Sequence, residues 1–518
     1  MRKLLLIGLV ALLASSCSTR KNENVLLEPN QNFTLVPASA RNQIITNFLR
    51  EKGQFEWNWA DDNMLYSAVT DNNDGKLIVG YQPIGFDEES DIFNIQSEAW
   101  IKAKEGLIAD ILTTYEQFGF KKKREDIISG EHQSYPFFRV KVQMVELIKN
   151  IRASKNFRYA EPDTYIFTPA VASNTRGNSS GGQFGCNAPE IGLISPSDRV
   201  KANDNAYYSW HLKHANVDDA WNAGLTGDNI KVGLIDTGIS PNQYHLNSGF
   251  RSGFSGGRSY FRAGTYKPDG SNTDGWQDQC GHGTSMASII AGPRIVKNKP
   301  SGIAYKADFY AVRGTGDVLL DKGNEKDGVV DAIERLVNWK AKIISMSIGT
   351  PITAYSIRDA IKDGYKKGVM FVCAAGTVGN LFGIPISSGA SVIFPANMGK
   401  ETVAVTGVTE KSRLKTADRC IAGLYVDFVV AIERDGNVDR MALGMRQSGT
   451  LGDTSTDYVG GSSAATASFA GMAALIWSKN TSRSRDQVIN IMKKSAEKRI
   501  QSLLHGWGRV DMDKARRE

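Results

Sequence analysis

Short, continuous apolar runs alternate with segments of helical spacing over the second half of the chain. Five of these runs predict buried strands, at 230–235, 307–312, 342–348, 369–375 and 402–408. Between two of them, the apolar residues of 327–339 recur at helical spacing and predict a helix. Strands that are apolar throughout are typical of a parallel sheet covered by helices on both faces. The pattern therefore predicts an α/β fold for residues 203–518, with an open, mainly parallel sheet in a three-layer arrangement.

A smaller α+β pattern precedes this region, at residues 76–167. Its apolar runs predict strands at 76–81, 138–142 and 157–167 and helices at 95–118 and 144–151. Residues 168–202 are predicted to be a linker, because Ser, Gly and Asn dominate its centre and such a composition stays exposed. The polar stretch 17–75 contains scattered aromatic residues, and we predict no function for it from its sequence.

The first sixteen residues have the pattern of an export signal. Arg2 and Lys3 precede the apolar run 4–14, which is too short to span a bilayer. Small residues then lead to Cys17, an order similar to that of bacterial lipoprotein signals. This resemblance implies cleavage before Cys17 and acylation of its thiol, although Ala14 stands where such signals usually have leucine. Plain secretion, with Cys17 incidental, is the alternative.

Composition and charge narrow the remaining classes of function. The chain has 62 Lys and Arg against 55 Asp and Glu, a net charge of +7 that mildly favours anionic surfaces. No run of basic residues with interleaved aromatics occurs, so nucleic-acid binding is not predicted. In an exported chain, Cys186, Cys280, Cys373 and Cys420 allow three disulfide pairings. Cys373 lies in a predicted central strand, where a small buried side chain is the simpler interpretation.

Three short motifs carry residues suited to nucleophilic hydrolysis. Asp236 ends an apolar strand, His282 lies in Gly-His-Gly-Thr-Ser, and Ser463 follows a Gly-rich turn that leads into a helix of small residues. Each motif alone has an ordinary interpretation as a turn or a helix cap. Together they predict a triad in which His282 takes the proton of Ser463 and Asp236 orients the imidazole.

The chain order of Asp236, His282 and Ser463 resembles that of the subtilisin family of serine peptidases. The likeness covers residues 203–515 and includes Gly302-Ile-Ala-Tyr-Lys-Ala-Asp308 and Gly508-Arg-Val-Asp-Met512. It implies a subtilisin-like fold and a serine endopeptidase that acts on exported proteins or peptides through an acyl-enzyme, with no cofactor.

The same resemblance assigns residues that bind the substrate. Backbone N–H groups of the helix beginning near Ser463 would face the oxyanion, and Thr377 stands where the family usually has a second donor, an asparagine. Two segments are expected to contact substrate: Ser347, Ile348 and Gly349 as a pairing strand, and Ala374, Ala375 and Gly376 as a pocket wall. Because Thr377 is shorter than asparagine, a catalytically silent peptide-binding protein is the alternative, and the complete triad favours the enzyme.

No metal site is predicted. The family's common calcium site uses an aspartate nine residues after the catalytic aspartate, and this chain has His245 there. The second part of that site, the loop 293–300, has three basic residues and no acid. Calcium prefers carboxylate and other oxygen ligands, so neither position suits it.

Residues 76–167 resemble the family's inhibitory pro-domain, through the segments 145–149 and 157–163. The resemblance implies a ferredoxin-like α+β fold, a tail that lies in the substrate cleft, and self-cleavage within 168–202; an unrelated small domain is the alternative. Expected partners are therefore peptide substrates, the chain's own pro-domain and a bacterial membrane, without nucleic acid. We expect the outer membrane with the protein facing the periplasm, since Arg20 and Lys21 provide no acidic signal for surface export.

Overall fold

A computed structural model describes residues 33–71, 75–89, 93–168, 186, 193–296, 299–377, 392–411, 414–446 and 456–518. The predicted signal peptide, Cys17 and most of the predicted linker lie outside these residues. Within the described residues, no helix is both long enough and apolar enough to cross a membrane.

The N-terminal domain is built on a small antiparallel sheet. Its strands are β1 (Lys76–Tyr81), β2 (Ile128–Ser129), β3 (Phe137–Lys141) and β4 (Phe157–Pro162), in the order β2-β3-β1-β4. Its helices are α1 (Ala38–Lys52), α2 (Asp62–Asp71), α3 (Glu98–Gln117), α4 (Arg124–Ile127) and α5 (Val145–Ala153). The sequence β1-α3-β2-β3-α5-β4 with this strand order is ferredoxin-like, as predicted. Helix α2 comes from the stretch without an assigned role and packs on α5 and β4.

The C-terminal domain carries a nine-stranded sheet within the described residues. After the two-stranded ribbon of β5 (Arg199–Lys201) and β6 (Tyr207–Ser209), its strands are β7 (Lys231–Asp236), β8 (Tyr260–Gly264), β9 (Asp308–Arg313), β10 (Ile343–Met346), β11 (Met370–Ala374), β12 (Thr402–Thr409), β13 (Phe428–Arg434), β14 (Asn437–Met445) and β15 (Thr456–Val459). The order is β15-β14-β13-β12-β11-β10-β7-β9-β8, and the strands from β8 to β13 run parallel. At the other end of the sheet, β14 pairs antiparallel with β13, and β15 pairs antiparallel with β14. The mainly parallel sheet predicted from the apolar runs is confirmed.

Helices cover both faces of this sheet. They are α6 (Val217–Asn222), α7 (His282–Ala291), α8 (Gly323–Asn338), α9 (Tyr355–Lys366), α10 (Gly461–Ser478), α11 (Arg485–Lys494) and α12 (Met512–Ala515). Alternate residues of β7 enter different cores: Val232 and Leu234 pack in the cluster with α7 and α10, and Ile235 packs in the cluster with α8 and α9. The three-layer arrangement follows from this alternation, because each strand buries both faces.

Candidate active site

The three triad residues lie at the ends of elements that meet at one edge of the sheet. Asp236 is the last residue of β7, His282 is the first of α7, and Ser463 is in the first turn of α10. Ser347 directly follows β10, the neighbour of β7, and its hydroxyl donates to the backbone oxygen of Ser463 at 3.1 Å. Parallel sheets bind their ligands at the carboxyl ends of the strands. The site therefore lies where the fold places ligand-binding groups.

Asp236 and His282 form a buried hydrogen-bonded pair. The distance from Asp236 Oδ1 to His282 Nδ1 is 2.8 Å, and the two side chains are 1% and 12% exposed. Because a carboxylate only accepts, Nδ1 carries the hydrogen and Nε2 is left to take a proton. Burial disfavours the imidazolium, but the Asp236 carboxylate, together with Asp278 and Asp317, raises the pKa of His282 above its ordinary value. The pair has the arrangement of a general base with its orienting acid.

A second buried aspartate, Asp278, holds the start of helix α7. Its Oδ1 accepts from the N–H groups of Cys280 and Gly281 at 2.9 and 2.7 Å and from the hydroxyl of Thr237 at 2.9 Å. Its Oδ2 accepts from the N–H and the hydroxyl of Thr284 at 2.9 and 2.5 Å. These bonds hold in place the turn that carries His282. Asp278 is therefore a positioning residue that the motif analysis missed. Its place four residues before His282, at a helix start, is the signal that could have identified it.

The nucleophile's helix begins with a left-handed glycine. Gly461 has φ +72°, and a Cβ there would lie 2.8 Å from Thr377 Oγ1. Thr377 thus lies beside the first turn of α10, where unpaired backbone N–H groups favour negative charge. Its hydroxyl lies 3.3 Å from the hydroxyl of Ser462, which also accepts from the N–H of Gly376 at 3.1 Å. The oxyanion role of Thr377 stays a prediction. To donate to an oxyanion, the Thr377 hydroxyl must give up its contact with the hydroxyl of Ser462.

In the part of the chain that the structure describes, no hydrogen bond joins Ser463 Oγ to the imidazole. Contacts of this kind are often long before the substrate binds.

The two predicted substrate segments lie close together. Cβ atoms on Gly349 and Gly376 would each lie near Ile393, at 2.8 and 3.4 Å from its side chain. Gly349 does not offer a free edge, since its N–H donates to Val318 O and its oxygen accepts from Leu320 N, both at 3.0 Å. Pairing of substrate with Gly349 stays a prediction, and it requires residues 318–320 to separate from this glycine.

Ala374 ends β11, and the next two residues continue the wall predicted for the first specificity pocket. The oxygen of Ala375 accepts from Ile393 N, and the oxygen of Gly376 accepts from Ile421 N, both at 3.0 Å. Ile348 is buried in the core shared with α8 and α9. The assignment of these residues to substrate binding stays a prediction.

Among the described residues, neither region considered for calcium presents a cluster of carboxylates. In the loop 293–300, Arg294 donates from Nε and Nη2 to Asp204 at 2.6 and 3.0 Å. The guanidinium of Arg294 thus connects this loop to the segment around Asp204, at the start of the peptidase domain. His245 is buried in the short helical turn Tyr244–Leu246.

One cluster of possible metal ligands occurs in the described residues, formed by His132, Asp331 and Glu334. His132 Nδ1 already accepts the backbone N–H groups of Ser134 and Tyr135, both at 3.1 Å. The hydrogen is therefore on Nε2, which donates to Asp331 at 3.1 Å. This tautomer has no lone pair left for a metal, and the cluster acts as a contact between the two domains.

A disulfide joins the linker to the active-site turn. Cys186 pairs with Cys280, whereas Cys373 and Cys420 are buried free thiols. Each of the three possible pairings would join all four cysteines in two disulfides. The structure contains one disulfide, between Cys186 and Cys280, and Cys373 and Cys420 are reduced. Cys280 is two residues before His282, so the bridge fixes linker residue 186 at the edge of the site. Cys373 is a buried side chain, as predicted.

Comparison with known proteins agrees with this geometry. The family described as the subtilase family matches residues 227–508, more than half of the chain. Minor extracellular protease Epr of Bacillus subtilis (strain 168) is 34% identical over 220 residues, which are 42% of this chain and 29% of that protein. Subtilisin BL of Lederbergia lenta is 28% identical over 314 residues, 60% of this chain and 98% of that protein.

Among solved structures, the crystal structure of fervidolysin from Fervidobacterium pennivorans, a keratinolytic enzyme related to subtilisin, aligns with a TM-score of 0.55. The sequence identity is 17%, and the alignment covers 86% of this chain and 61% of that chain, so the likeness concerns the fold alone. The family match contains Asp236, His282 and Ser463. The chain belongs to the subtilase family and is a subtilisin-like serine endopeptidase.

Proposed function

We propose that this endopeptidase is made as an exported, lipid-anchored precursor that cuts itself within residues 168–202. Its N-terminal domain inhibits it until that domain is removed, and its substrates are exported peptides or proteins. One observation carries the proposal: on both sides of residues 169–185, the chain lies against the rim of the active site.

On the upstream side, the tail that follows β4 lies along the segment next to Gly349. Tyr165 N donates to Asp321 O at 3.0 Å. Phe167, two residues further, lines one cavity together with Leu319 and Thr350. The tail thus leads toward the place where substrate is expected to bind, which is the path of a product-like inhibitor.

On the downstream side, the disulfide holds Cys186 beside the histidine. Its Sγ lies 3.6 Å from Asp317 Oδ1, and Cys280 follows directly on Gln279 in the turn that Asp278 fixes. Residues 169–185 therefore connect two points that flank the triad. The described residues at both ends of this stretch, Phe167 and Cys186, support a cut by Ser463 between them.

The N-terminal domain also completes two helices of the peptidase domain. Glu161 accepts from Tyr355 N, the first N–H of α9, at 3.2 Å. Thr164 accepts from Gly323 N, the first of α8, also at 3.2 Å. The first N–H groups of a helix lack intrahelical partners, so these helices gain their caps from the domain that is later removed. This supports a role of the N-terminal domain in folding as well as inhibition.

The specificity pocket is expected to take an uncharged side chain. A Cβ on Gly376 would lie 2.7 Å from Ile421 and 3.4 Å from Ile393, both of which are aliphatic. A charged side chain would lose its hydration against such a wall. We therefore expect apolar or small residues before the scissile bond.

The decisive experiment compares purified wild type with Ser463→Ala on reducing and non-reducing gels. Reduced wild type should give two polypeptides and Ser463→Ala one, and a fluorophosphonate probe should label only the wild-type fragment that contains Ser463. Without reduction, a cut before Cys186 separates the fragments, and a cut after Cys186 leaves them joined through Cys280. A fatty-acid label should mark only the smaller fragment.

Circular dichroism of Ser463→Ala controls for folding. An uncut wild type with full activity, or normal cutting of Ser463→Ala, would refute self-processing. A fatty-acid label on the fragment that contains Ser463 would refute the proposed order of anchor and pro-domain.

A further inference from the structure

A cluster of exposed aliphatic side chains lies at the tip of a hairpin near the end of the peptidase domain. The C-terminal hairpin, residues 498–507, is closed by bonds from Lys498 N to Trp507 O and between Ser502 and Gly506. Ile500, Leu503 and Leu504 at its tip are 83%, 72% and 47% exposed. Exposed apolar side chains that occur singly are common, but contiguous ones mark an interaction surface.

The tip extends onto the neighbouring loop. Gly423 N donates to Leu504 O at 3.3 Å, and Leu424, the next residue, is 54% exposed. Four large aliphatic side chains therefore face solvent from two segments that are bonded to each other.

Positive charge borders this apolar surface. One concavity beside the hairpin is lined by five basic residues: Arg483, Lys493, Lys494, Lys498 and Arg499. Among the described residues, Glu518 is the one acidic side chain that lines it, and it pairs with Lys494 at 3.5 Å. Lys498 and Arg499 have no ion-pair partner among the described residues, so their charge is available to an anionic partner.

This combination favours a lipid surface over a protein or nucleic acid. The cores of protein interfaces are enriched in aromatic residues and depleted of lysine. Binding of single-stranded nucleic acid uses aromatic side chains on which bases stack. Aliphatic side chains beside lysine and arginine are what interfacial membrane binding uses, with cations near the phosphates and the apolar groups below them.

We propose that the C-terminal hairpin docks the peptidase domain on an anionic bilayer, with Leu503, Leu504 and Ile500 entering the headgroup region. The hairpin is close to the catalytic site. The five-residue segment 420–424 begins at Cys420, which pairs with Thr377, and ends at Leu424. Docking would therefore hold the substrate cleft near the membrane. It depends neither on Cys17 nor on self-processing, so it would keep a cut enzyme at the surface after loss of the acylated fragment.

The test is flotation of residues 18–518 carrying Ser463→Ala with vesicles of phosphatidylcholine alone or with phosphatidylglycerol. This chain lacks the predicted signal and the acylated cysteine but keeps every described residue. We expect binding to the anionic vesicles that weakens with salt. The pair Leu503→Ser and Leu504→Ser should lower the partition coefficient by about tenfold or more, because affinity scales with the buried apolar area.

Charge reversal at Lys498 and Arg499 should also lower binding about tenfold or more, because each basic residue contributes near an anionic surface. Matched controls lie elsewhere: Leu193→Ser removes a fully exposed leucine (101%), and Lys201→Glu with Lys340→Glu reverses two exposed lysines. These controls should bind like the parent chain, and thermal unfolding should be equal for all variants.

A gain of signal provides a second readout. Leu503→Trp should show a blue-shifted fluorescence increment on anionic vesicles, and acyl-brominated lipids should quench it. No binding to anionic vesicles, equal loss in the control variants, or an increment that bromolipids do not quench would overturn the proposal. If the parent chain self-associates in sedimentation and the two serine substitutions abolish this without changing flotation, the surface binds a second copy and the proposal is wrong.

Discussion

Arg158 and Asp359 form an almost fully buried ion pair between the N-terminal domain and helix α9. Arg158 donates to the two carboxylate oxygens at 2.5 and 2.7 Å, and the hydroxyl of Tyr159 donates to the same carboxylate at 3.2 Å. The two charged side chains are 5% and 0% exposed. Lys400 and Glu89 also pair across the two domains, but these side chains are 59% and 61% exposed. The two pairs allow the effect of burial to be measured within one interface.

Replacing Arg158 by methionine would leave the Asp359 carboxylate buried without the cation that is hydrogen-bonded to it, and only the more distant charge of Arg358 would remain. Breaking a buried pair in this way costs about 3–5 kcal/mol, and two charges about 4 Å apart at an effective dielectric constant near 20 attract by about 4 kcal/mol. The further change Asp359→Leu removes the stranded charge, so the double variant should regain most of the loss. Lys400→Met should cost much less than Arg158→Met, because both charges of its pair are solvated.

The loss should also depend on pH. Burial raises the pKa of Asp359 and Arg158 opposes this, so removing Arg158 raises that pKa further above its value in the unfolded chain. A carboxylate whose folded pKa is raised destabilises the fold above that pKa, and the effect disappears as the pH falls through it. Arg158→Met should therefore lose more stability at about pH 8 than at about pH 5.

Urea unfolding of the full chain in the Ser463→Ala background, followed by tryptophan fluorescence, measures these differences. The reasoning fails if Arg158→Met costs no more than Lys400→Met. It also fails if adding Asp359→Leu to Arg158→Met brings no recovery.

Three further predictions concern the catalytic domain. EDTA should leave the melting temperature unchanged. Arg294→Met should lower the melting temperature by about 2–4 °C for each kcal/mol of stability lost with the Arg294–Asp204 pair. If calorimetry shows a drop with EDTA and none with Arg294→Met, the domain has a cation site. Burial lowers the pKa of His282, but Asp236 and its neighbouring aspartates raise it above its ordinary value, and the base must be neutral. The acid limb of kcat/KM against pH should therefore lie above about 6.5, and a lower limb would contradict the buried pair. Thr377→Val should lower kcat by about 10²-fold or more with little change in KM, while Thr377→Asn is tolerated; full activity of Thr377→Val in steady-state assays would assign the oxyanion to other donors.

Local patterns in the sequence were sufficient to predict the strands and the kind of site. The apolar run 230–235 predicts β7 to within one residue at each end, and 402–408 predicts β12 equally well. A strand buried on both faces is largely apolar along its whole length, so the signal lies within the strand itself. The triad was likewise predictable, because each of its residues stands in a short motif of glycines and small residues that the local turn requires.

Contacts between distant segments could not be obtained from such patterns. The pairing of Cys186 with Cys280 was one of three equally permitted choices, since a cysteine's sequence context does not identify its partner. From the sequence alone, Asp278 has the appearance of an ordinary turn residue. Only the structure shows that its carboxylate accepts hydrogen bonds from five groups around His282. Gly349 pairs with residues 318–320 through backbone N–H and C=O groups. Because every residue has these groups, the sequence does not indicate which segments pair.

The sequence by itself determined the fold class and led to the prediction of the two domains and of the candidate triad, because these follow from apolar periodicity and from residues close together in the chain. The tertiary structure alone decided that the N-terminal domain caps α8 and α9, that Arg158 meets Asp359, and that the hairpin's leucines remain in solvent. Burial and charge pairing arise between segments up to 311 residues apart, and only the folded chain determines which segments meet.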